Sequence, residues 1–522
     1  MGFDCFARHS VTASPLIHLL ERVAMMNKFP SVAAFCLLPI LFFARIVSAQ
    51  ESPPTLFQNV NVVDVAAGKI DPDRMVLVSG NRIVAIGASV PFPANAVVVD
   101  ATGKFLIPGL WDMHSHALFA WEWSWRLNIA NGVTGFRDPG SSKPIADIIT
   151  LRDDVEAGRT MGPRFVASGK IIDGIASKKR AYVTVTTAAE MRQEVRQRKQ
   201  DGLDFVKIYT HLSRDMFLAA VQESKQLDIP LDGHVPLAMT TAEASDAGMR
   251  SIEHSYRHRM ACAIAEDEIR DLLLKQVAIK QSGDPKVFVA NEDKDLMLGL
   301  ETYSSEKCIA LGRKFASNGT WFVPTLVEMR TRFRTDVYDD ESLLKLFEDQ
   351  RLRYMPAKTV GKWRDDMFGY QGFLYGKMMY GLKSSDVVEQ EIAREFNNRL
   401  QMAADLHRGG ARLLAGTDVD AIFQFLFYGS SLHDELGLLV QAGLSPLDAL
   451  RTATLNPAIF LDRQDDLGTV EAGKLADLVL LDGNPIEDIG NTRKISAVVS
   501  NGNYFSRAEL DGLLAEAEAL VK

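Results

Sequence analysis

Two histidines one residue apart, His114 and His116, are the side chains of this sequence that most directly suggest metal chemistry. They end the segment PGLWDMHSH at residues 108–116. Residues i and i+2 of an extended strand point to the same face, so both imidazoles can reach one cation. Imidazole suits zinc and neighbouring transition metals. A chance His-x-His pair is the alternative, and this segment alone does not decide.

A lysine in the middle of an apolar strand is the second candidate. In LDFVKIY (residues 203–209), alternation places Phe205, Lys207 and Tyr209 on one face. A buried lysine is costly unless it is paired or chemically changed. A lysine whose ammonium reaches solvent is the alternative reading.

Three further candidates end short apolar segments. His234 follows Asp232-Gly233, His254 follows SIE at 251–253, and Asp418 ends LLAGTD. Individually, each histidine fits a hydrogen-bonded core residue and the aspartate fits a helix N-cap. Together, four histidines, one lysine and one aspartate at five strand ends are enough to surround two divalent ions.

The pattern of the chain favours an α/β fold. Short apolar segments alternate with helical stretches, which predicts a (β/α)8 TIM-type barrel over residues 108–463, with its active site at the carboxyl ends of the strands. A helical insertion is expected at about 328–383. The candidate strands are residues 109–117, 133–137, 165–169, 204–210, 230–234, 251–253, 321–326 and 412–416.

Both ends of the chain outside this region are rich in short β segments separated by turn residues. We therefore predict a small composite β-sandwich domain built from residues 50–107 and 464–522. It would join the two termini on one side of the barrel domain.

The first 49 residues have the layout of a secretory signal peptide. An apolar run at 32–44 is followed by small residues up to Ala49, and the true start is expected at Met25 or Met26. The run is shorter than the ~20 residues that a membrane span needs. We expect cleavage near Ala49, a periplasmic or secreted protein and no stable membrane insertion.

The overall charge and the cysteines add two expectations. A net charge of −9 without a basic patch argues against a nucleic-acid partner. After cleavage only Cys262 and Cys308 remain, and we expect them to be unpaired by default, although a disulfide is chemically possible.

These segments resemble the amidohydrolase superfamily, in the branch of imidazolonepropionase-like proteins and Xaa-Pro dipeptidases. The resemblance extends from about Leu56 to the C-terminus. The segments that carry it are PGLWDMHSH (108–116), GTD (416–418), TATLNPA (452–458) and GTVEAGKLADLV (468–479).

The resemblance implies a ligand set for two divalent metal ions, expected to be zinc. His114 and His116 would hold the more buried ion together with Asp418, and His234 and His254 would hold the second. Lys207 would carry carbon dioxide as N6-carboxylysine and bridge both ions. An anionic carbamate is also expected on charge grounds, since neutral histidines offset little of two dications.

The resemblance further implies hydrolysis of an amide-type C–N bond in a small molecule, of the dipeptide or N-acyl amino acid class. A metal-bridging hydroxide would attack, with Asp418 as general acid and base. Tyr209 would stabilise the oxyanion or bind a substrate carboxylate. Arg137, Tyr256 and His258 are weaker candidates for substrate contact, and for Arg137 a structural ion pair with Asp138 is the preferred reading. A homo-oligomer is left open.

Other residues near these segments are given structural roles. Arg137 and Asp138 are interpreted as an ion pair. His211 is expected on a loop, and His407 and His433 on helices; none of the three is assigned to metal.

Two alternative functions are kept. The first is a one-metal deaminase or a cyclic amide or lactone hydrolase. However, deaminases of this superfamily usually carry a glutamate three positions after the strand-five histidine, where this chain has Leu237. A one-metal enzyme would also have no use for Lys207. The second is a non-catalytic extracytoplasmic binding protein, against which the complete ligand set argues.

Overall fold

The computed structural model describes residues 53–174, 181–254, 259–282, 285–332, 344–365, 383–420 and 423–522. The predicted signal peptide, Tyr256 and His258 lie outside these residues. Within the part of the chain so described, no helix combines the length and apolarity needed to cross a membrane.

The strands and helices alternate along most of the chain, as the sequence predicts for a mixed α/β fold. The strands are β1 (Thr55–Asp64), β2 (Lys69–Ser79), β3 (Arg82–Gly87), β4 (Val97–Asp100), β5 (Phe105–Pro108), β6 (Leu110–Asp112), β7 (Val133–Asp138), β8 (Arg164–Ala167), β9 (Ile171–Asp173), β10 (Tyr182–Thr184), β11 (Val206–Ile208), β12 (Leu231–Gly233), β13 (Ser251–Glu253), β14 (Trp321–Val323), β15 (Arg412–Leu413), β16 (Leu478–Leu481), β17 (Ile495–Ser500) and β18 (Asn503–Ser506). The α-helices are Trp121–Ala130, Ile145–Glu156, Ala188–Gln200, Arg214–Leu227, Thr241–Ala247, Arg259–Cys262, Glu266–Ser282, Pro285–Glu301, Ser305–Asn318, Leu326–Arg332, Ser385–Arg408, Ser430–Gln441, Pro446–Thr452, Leu455–Phe460 and Arg507–Val521.

Strands from both ends of the chain form one eight-stranded sheet in the order β18-β17-β16-β5-β1-β2-β3, with β4 also paired to β1. The two ends meet where β16 pairs antiparallel with β5, in a register that places Leu478 opposite Pro108. One face buries an apolar cluster that includes Val60, Val76 and Leu480. The composite β region is therefore a single sheet in the described residues, and its arrangement as a sandwich stays a prediction.

The strands between these ends are parallel and form two sheets. One has seven strands in the order β10-β9-β11-β12-β13-β14-β15, and the other has the order β6-β7-β8. Backbone hydrogen bonds connect the two sheets on both sides. The amide of Asp204 donates to the carbonyl of Ala167 over 3.1 Å, and the amide of Met113 donates to the carbonyl of Ala415 over 2.8 Å. Each of the eight predicted strand segments overlaps one of β6, β7, β8 and β11–β15.

The core beneath these strands explains why they form. All six residues of β7 are buried, as are all three of β6, β11, β12 and β13. The rings of Phe136 and Phe165 stack with centroids 5.3 Å apart, and Trp125 packs against both. A strand buried on both faces reads as a continuous apolar run, so polar residues within these strands stand out.

The predicted insertion between β14 and β15 is helical where it is described. It includes Leu326–Arg332 and a 3₁₀ helix at Gln350–Tyr354. Trp363 is fully buried against Phe425 and Phe427. This aromatic residue therefore contributes to a packed core.

The expectation of unpaired cysteines is wrong, because Cys262 and Cys308 form a disulfide. Cys262 ends helix Arg259–Cys262, and Cys308 lies in the first turn of Ser305–Asn318. Docking of these helices brings the two Cα atoms to 4.6 Å, across a sequence separation of 46 residues. Sequence spacing does not reveal such a contact.

His433 is a buried histidine with a structural role, on helix Ser430–Gln441 as predicted. Its Nε2 lies 3.0 Å from the carbonyl oxygen of Asn131, and its Nδ1 lies 2.9 Å from Thr492 Oγ1. Burial, assisted by the charge of Arg493, lowers the pKa of His433 to about 4. The neutral imidazole is therefore the form that the fold stabilises.

Replacing His433 with Gln should reduce the acid sensitivity of folding. In the unfolded chain a histidine binds a proton below about pH 6.5, whereas His433 resists protonation down to about pH 4. Acidification from about pH 7.5 to about pH 5 should therefore cost the wild type roughly 2 kcal/mol more stability than the variant. Urea unfolding at both pH values measures this difference. Equal losses in the two proteins would contradict the burial argument, and His407→Gln serves as the control.

Candidate active site

Seven side chains selected from the sequence line one cavity of about 240 Å³. They lie at or just beyond the carboxyl ends of five parallel strands, β6, β11, β12, β13 and β15. Because parallel strands present these ends at the same edge of a sheet, residues far apart in the chain meet there. The seven residues are His114, His116, Lys207, Tyr209, His234, His254 and Asp418.

His114, His116 and Asp418 form the tightest group. Asp418 Oδ1 lies 3.1 Å from His114 Nε2 and 3.3 Å from His116 Nε2. His116 Nδ1 lies 2.9 Å from the carbonyl oxygen of Gly140, which can only accept. His116 therefore carries its hydrogen on Nδ1 and presents an unprotonated Nε2 to the cavity in its neutral form.

The backbone around Asp418 is held in an unusual conformation. Asp418 has a φ of 56°, in the left-handed region that non-glycine residues seldom adopt. Its amide donates to the carbonyl of His114 over 2.7 Å. The preceding Thr417 donates its hydroxyl to Asp112 Oδ2 over 2.6 Å. At Gly416 an added Cβ would lie 2.7 Å from the Cβ of His114, so this close approach requires glycine.

His234 and His254 lie beside the first group. Their ring centroids are 4.9 Å apart, and His254 also has a left-handed φ of 64°. His254 Nδ1 lies 2.9 Å from Thr325 Oγ1, and His234 Nδ1 lies 3.2 Å from Thr210 Oγ1. The threonine hydroxyls thus engage the Nδ1 atoms of both rings.

Tyr209 packs against His234 with ring centroids 4.0 Å apart, and Tyr182 meets Tyr209 edge-on. The structure therefore brings Tyr209 to the same cavity as Lys207, as strand alternation predicts.

A buried glutamate that the sequence analysis missed lies under the site. Glu253 Oε2 pairs with Lys207 Nζ and lies 3.1 Å from His114 Nδ1. Glu253 Oε1 accepts from Arg137 Nη2 over 2.6 Å. The only sequence signal is its position directly before His254, and a glutamate there has no distinctive spacing.

The interpretation of Arg137 and Asp138 as an ion pair is wrong. Arg137 pairs instead with Asp232, over 2.9 Å, and with Glu253. Asp138 accepts from the backbone amides of Leu118 and Gly140. Adjacent residues of a strand point to opposite faces, so Arg137 and Asp138 cannot share one pocket.

The charged groups of the site shift the pKa values of their neighbours. Burial raises the pKa of Glu253, but the charges of Lys207 and Arg137 outweigh it and hold the pKa well below its ordinary value. Burial lowers the pKa of His116, but the hydrogen bond and charge of Asp418 raise it overall to about 9. In the absence of a cation, a proton on His116 thus helps to balance Asp418.

Glu328 is a second carboxylate missed by the sequence analysis. It is fully buried on helix Leu326–Arg332, and its carboxylate oxygen lies within 4.8 Å of the ligand atoms of His254 and Asp418.

Two histidines that were not assigned to metal lie where they were predicted. His211 is on a loop after β11 and pairs with Asp173 over 2.9 Å, and His407 is on a helix.

Comparisons with known proteins agree with this architecture. Residues 388–504 match the model of the family described as Amidohydrolase family. Imidazolonepropionase of Streptomyces coelicolor is 31% identical over 136 residues, which are 26% of this chain and 34% of that protein. The chain thus spans about a third of the length of this curated relative.

Two solved structures share the fold over most of the chain. Bottromycin amidohydrolase superposes with a TM-score of 0.67 at 21% identity. The alignment covers 90% of this chain and 91% of the bottromycin amidohydrolase chain. A Xaa-Pro dipeptidase with methionine in its active site superposes with a TM-score of 0.56 at 20% identity. The alignment covers 87% of this chain and 100% of the dipeptidase chain. The chain is thus similar to the amidohydrolase family over residues 388–504 and shares its overall fold with these two structures.

Replacing Arg137 with Met should destabilise the fold strongly. The change removes the cation that faces Asp232 and Glu253 where none of the three side chains is exposed to water. Uncompensated buried charge predicts a loss of roughly 3–5 kcal/mol in the free energy of unfolding, measured by urea titration. Arg137→Lys should recover only part of this loss, because one ammonium cannot reproduce the guanidinium contacts. A loss below about 1 kcal/mol for Arg137→Met would refute this role.

Proposed function

We propose that this protein is a metal-dependent amidohydrolase that hydrolyses an amide-type C–N bond in a dipeptide or an N-acyl amino acid. The observation that carries the proposal is the convergence of four histidines, a lysine and an aspartate from five strand ends on one cavity. The match of residues 388–504 to the amidohydrolase family model and the solved amidohydrolase and dipeptidase neighbours support the reaction class.

The donor set fits two divalent ions. His114, His116 and Asp418 have ligand atoms within 4.8 Å of one another and would hold the first. His234 and His254 would hold the second, with Lys207 contributing to both as N6-carboxylysine. Imidazole donors suit zinc and neighbouring transition metals, and zinc is the ion that we propose. When bound, such ions supply an activated water at neutral pH and polarise the substrate carbonyl.

In the proposed reaction, Asp418 carries the proton. Its Oδ1 faces two imidazoles, and it lines the cavity where substrate would bind. It would accept the proton of the attacking water and pass it to the departing amine. Tyr209 also lines the cavity and would donate a hydrogen bond to the oxyanion or to a substrate carboxylate.

The proposal includes the architecture and the location of the protein. We propose that β6, β7, β8 and β11–β15 close into a (β/α)8 barrel within residues 108–463. The hydrogen bonds of Asp204 with Ala167 and of Met113 with Ala415 support closure. Residues 50–107 and 464–522 would form the smaller β domain. The segment 1–49 would direct export, so the substrate would be met in the periplasm or outside the cell.

The direct test is a substrate screen. The purified protein, supplied with zinc and bicarbonate, is incubated with a mixed library of dipeptides and N-acyl amino acids. Mass spectrometry should detect amine release, and Lys207→Ala should abolish it because the carboxylysine cannot form. The exposed residue Lys225 provides the matched control, since Lys225→Ala should release amine at the wild-type rate.

The outcomes separate the candidate functions. Amine release that survives Lys207→Ala would contradict the two-metal assignment. A protein that binds zinc but leaves the whole library intact would contradict the choice of bond and favour a lactone, a cyclic amide or deamination. A protein that binds no zinc while folded would favour a non-catalytic role.

Asp418→Asn should reduce turnover far more than zinc content. The amide keeps the size of the carboxylate but cannot carry the proton, so kcat should fall roughly a hundredfold to ten-thousandfold. Steady-state kinetics and elemental analysis of the same preparation compare the two quantities. Normal turnover in this variant would exclude Asp418 as the acid and base. Asp246→Asn, at an exposed ion pair with Lys314, is the control.

A further inference from the structure

Glu253 has contacts that no role described so far requires. It ends β13, its side chain has 0% exposure, and its two oxygens face different partners. Oε1 faces Arg137 Nη2 at 2.6 Å. Oε2 faces both Lys207 Nζ and His114 Nδ1, the latter at 3.1 Å. One carboxylate thus contacts two of the residues proposed to hold metal.

Arg137 fixes the position of this carboxylate. Its Nε donates to the carbonyl of Met113 over 2.7 Å, and its Nη1 donates to Asp232 over 2.9 Å and to Ser251 Oγ over 3.0 Å. Only Nη2 remains for Glu253, so the guanidinium sets where Oε1 lies. Oε2 is then directed at Lys207 and His114 by the planarity of the carboxylate.

We infer that Glu253 is a positioning residue for the metal site. It sets the tautomer of His114 and accepts a hydrogen bond from Lys207 Nζ, which keeps one N–H when the lysine becomes N6-carboxylysine; this inference rests on the proposed function. A carboxylate can only accept, so Glu253 favours hydrogen on Nδ1, whereas Asp418 Oδ1, 3.1 Å from Nε2, favours hydrogen on Nε2. A cation bound beside Asp418 would need the lone pair of Nε2, so in the loaded site Glu253 is the partner that receives the hydrogen of Nδ1. The partner of a metal-binding histidine commonly acts in this way.

His116 supports this reading by comparison. Its Nδ1 uses the carbonyl of Gly140 at 2.9 Å, and its Nε2 also faces Asp418. Both histidines of the His-x-His pair therefore turn Nε2 toward Asp418 Oδ1. The Nδ1 partner is the carbonyl of Gly140 for His116 and the carboxylate of Glu253 for His114. The contact of His114 Nδ1 with Glu253 is close in distance but poorly aligned. Such contacts often tighten when a site is loaded.

The test is Glu253→Gln, which keeps the size of the side chain. Arg137 should attract the amide oxygen, so the amide NH₂ group would face His114 Nδ1 and reverse the tautomer. NMR of zinc-loaded, ¹⁵N-histidine-labelled protein should find His114 with hydrogen on Nδ1 in the wild type and on Nε2 in the variant. Loss of the signal in His114→Gln assigns it. Chelator competition should find zinc bound roughly 10–100-fold more weakly.

The matched control is Glu223→Gln, at a buried glutamate of helix Arg214–Leu227 that pairs with Arg196 over 2.8 Å and does not line the cavity. It should leave both the tautomer and zinc affinity unchanged. Wild-type tautomer and wild-type zinc affinity in Glu253→Gln would overturn the inference. Neither readout uses a substrate, so a wild type that binds zinc but hydrolyses nothing would refute the proposed function alone.

A second variant covers the case in which Glu253→Gln does not fold. Glu253→Asp keeps the charge beside Arg137 but withdraws the carboxylate by about one C–C bond from Lys207 and His114. Zinc affinity should fall while the unfolding midpoint stays near that of the wild type. Unchanged zinc affinity in the folded aspartate variant would overturn the inference.

Discussion

The buried array of Arg137, Asp232, Glu253 and Lys207 is the constraint on which the rest of the site depends. Charges removed from water are costly unless each is paired and hydrogen-bonded. Arg137 meets this condition by spanning four strands, from the end of β6 through β7 to β12 and β13. The same contacts fix the spacing between the strands that carry the histidines. The ion pairs therefore set the geometry of the cavity as well as the charge balance beneath it.

The strands themselves are too short to do this alone. β11, β12 and β13 have three residues each, and His234 and His254 follow where the chain leaves the ladder, whereas Lys207 lies within β11. Local bonds replace the ladder at these positions. Asp112 holds Thr417, and the carbonyl of His114 holds the amide of Asp418 in its left-handed conformation. Such strain persists only where neighbouring contacts determine it, as they do here.

Residue type and periodicity, together with the family resemblance, selected seven of the residues that line the cavity. Histidine, lysine and aspartate stand out at the ends of apolar strands because burying them without partners would be unfavourable. The partners themselves could not be predicted. Arg137 meets Glu253 across 116 residues, and Cys262 meets Cys308 across 46, through packing of whole elements. Six of the eight predicted strands were too long, for example residues 204–210 against β11 (Val206–Ile208), because extended chain continues past the last ladder pair.

The family match and most of the cavity lining lie in different parts of the chain. The family match covers residues 388–504, which contain Asp418 but none of the four histidines nor Lys207. Those five residues lie between 114 and 254, and their convergence on Asp418 is a property of the fold. The family match and the cavity are therefore independent observations, and they meet at Asp418.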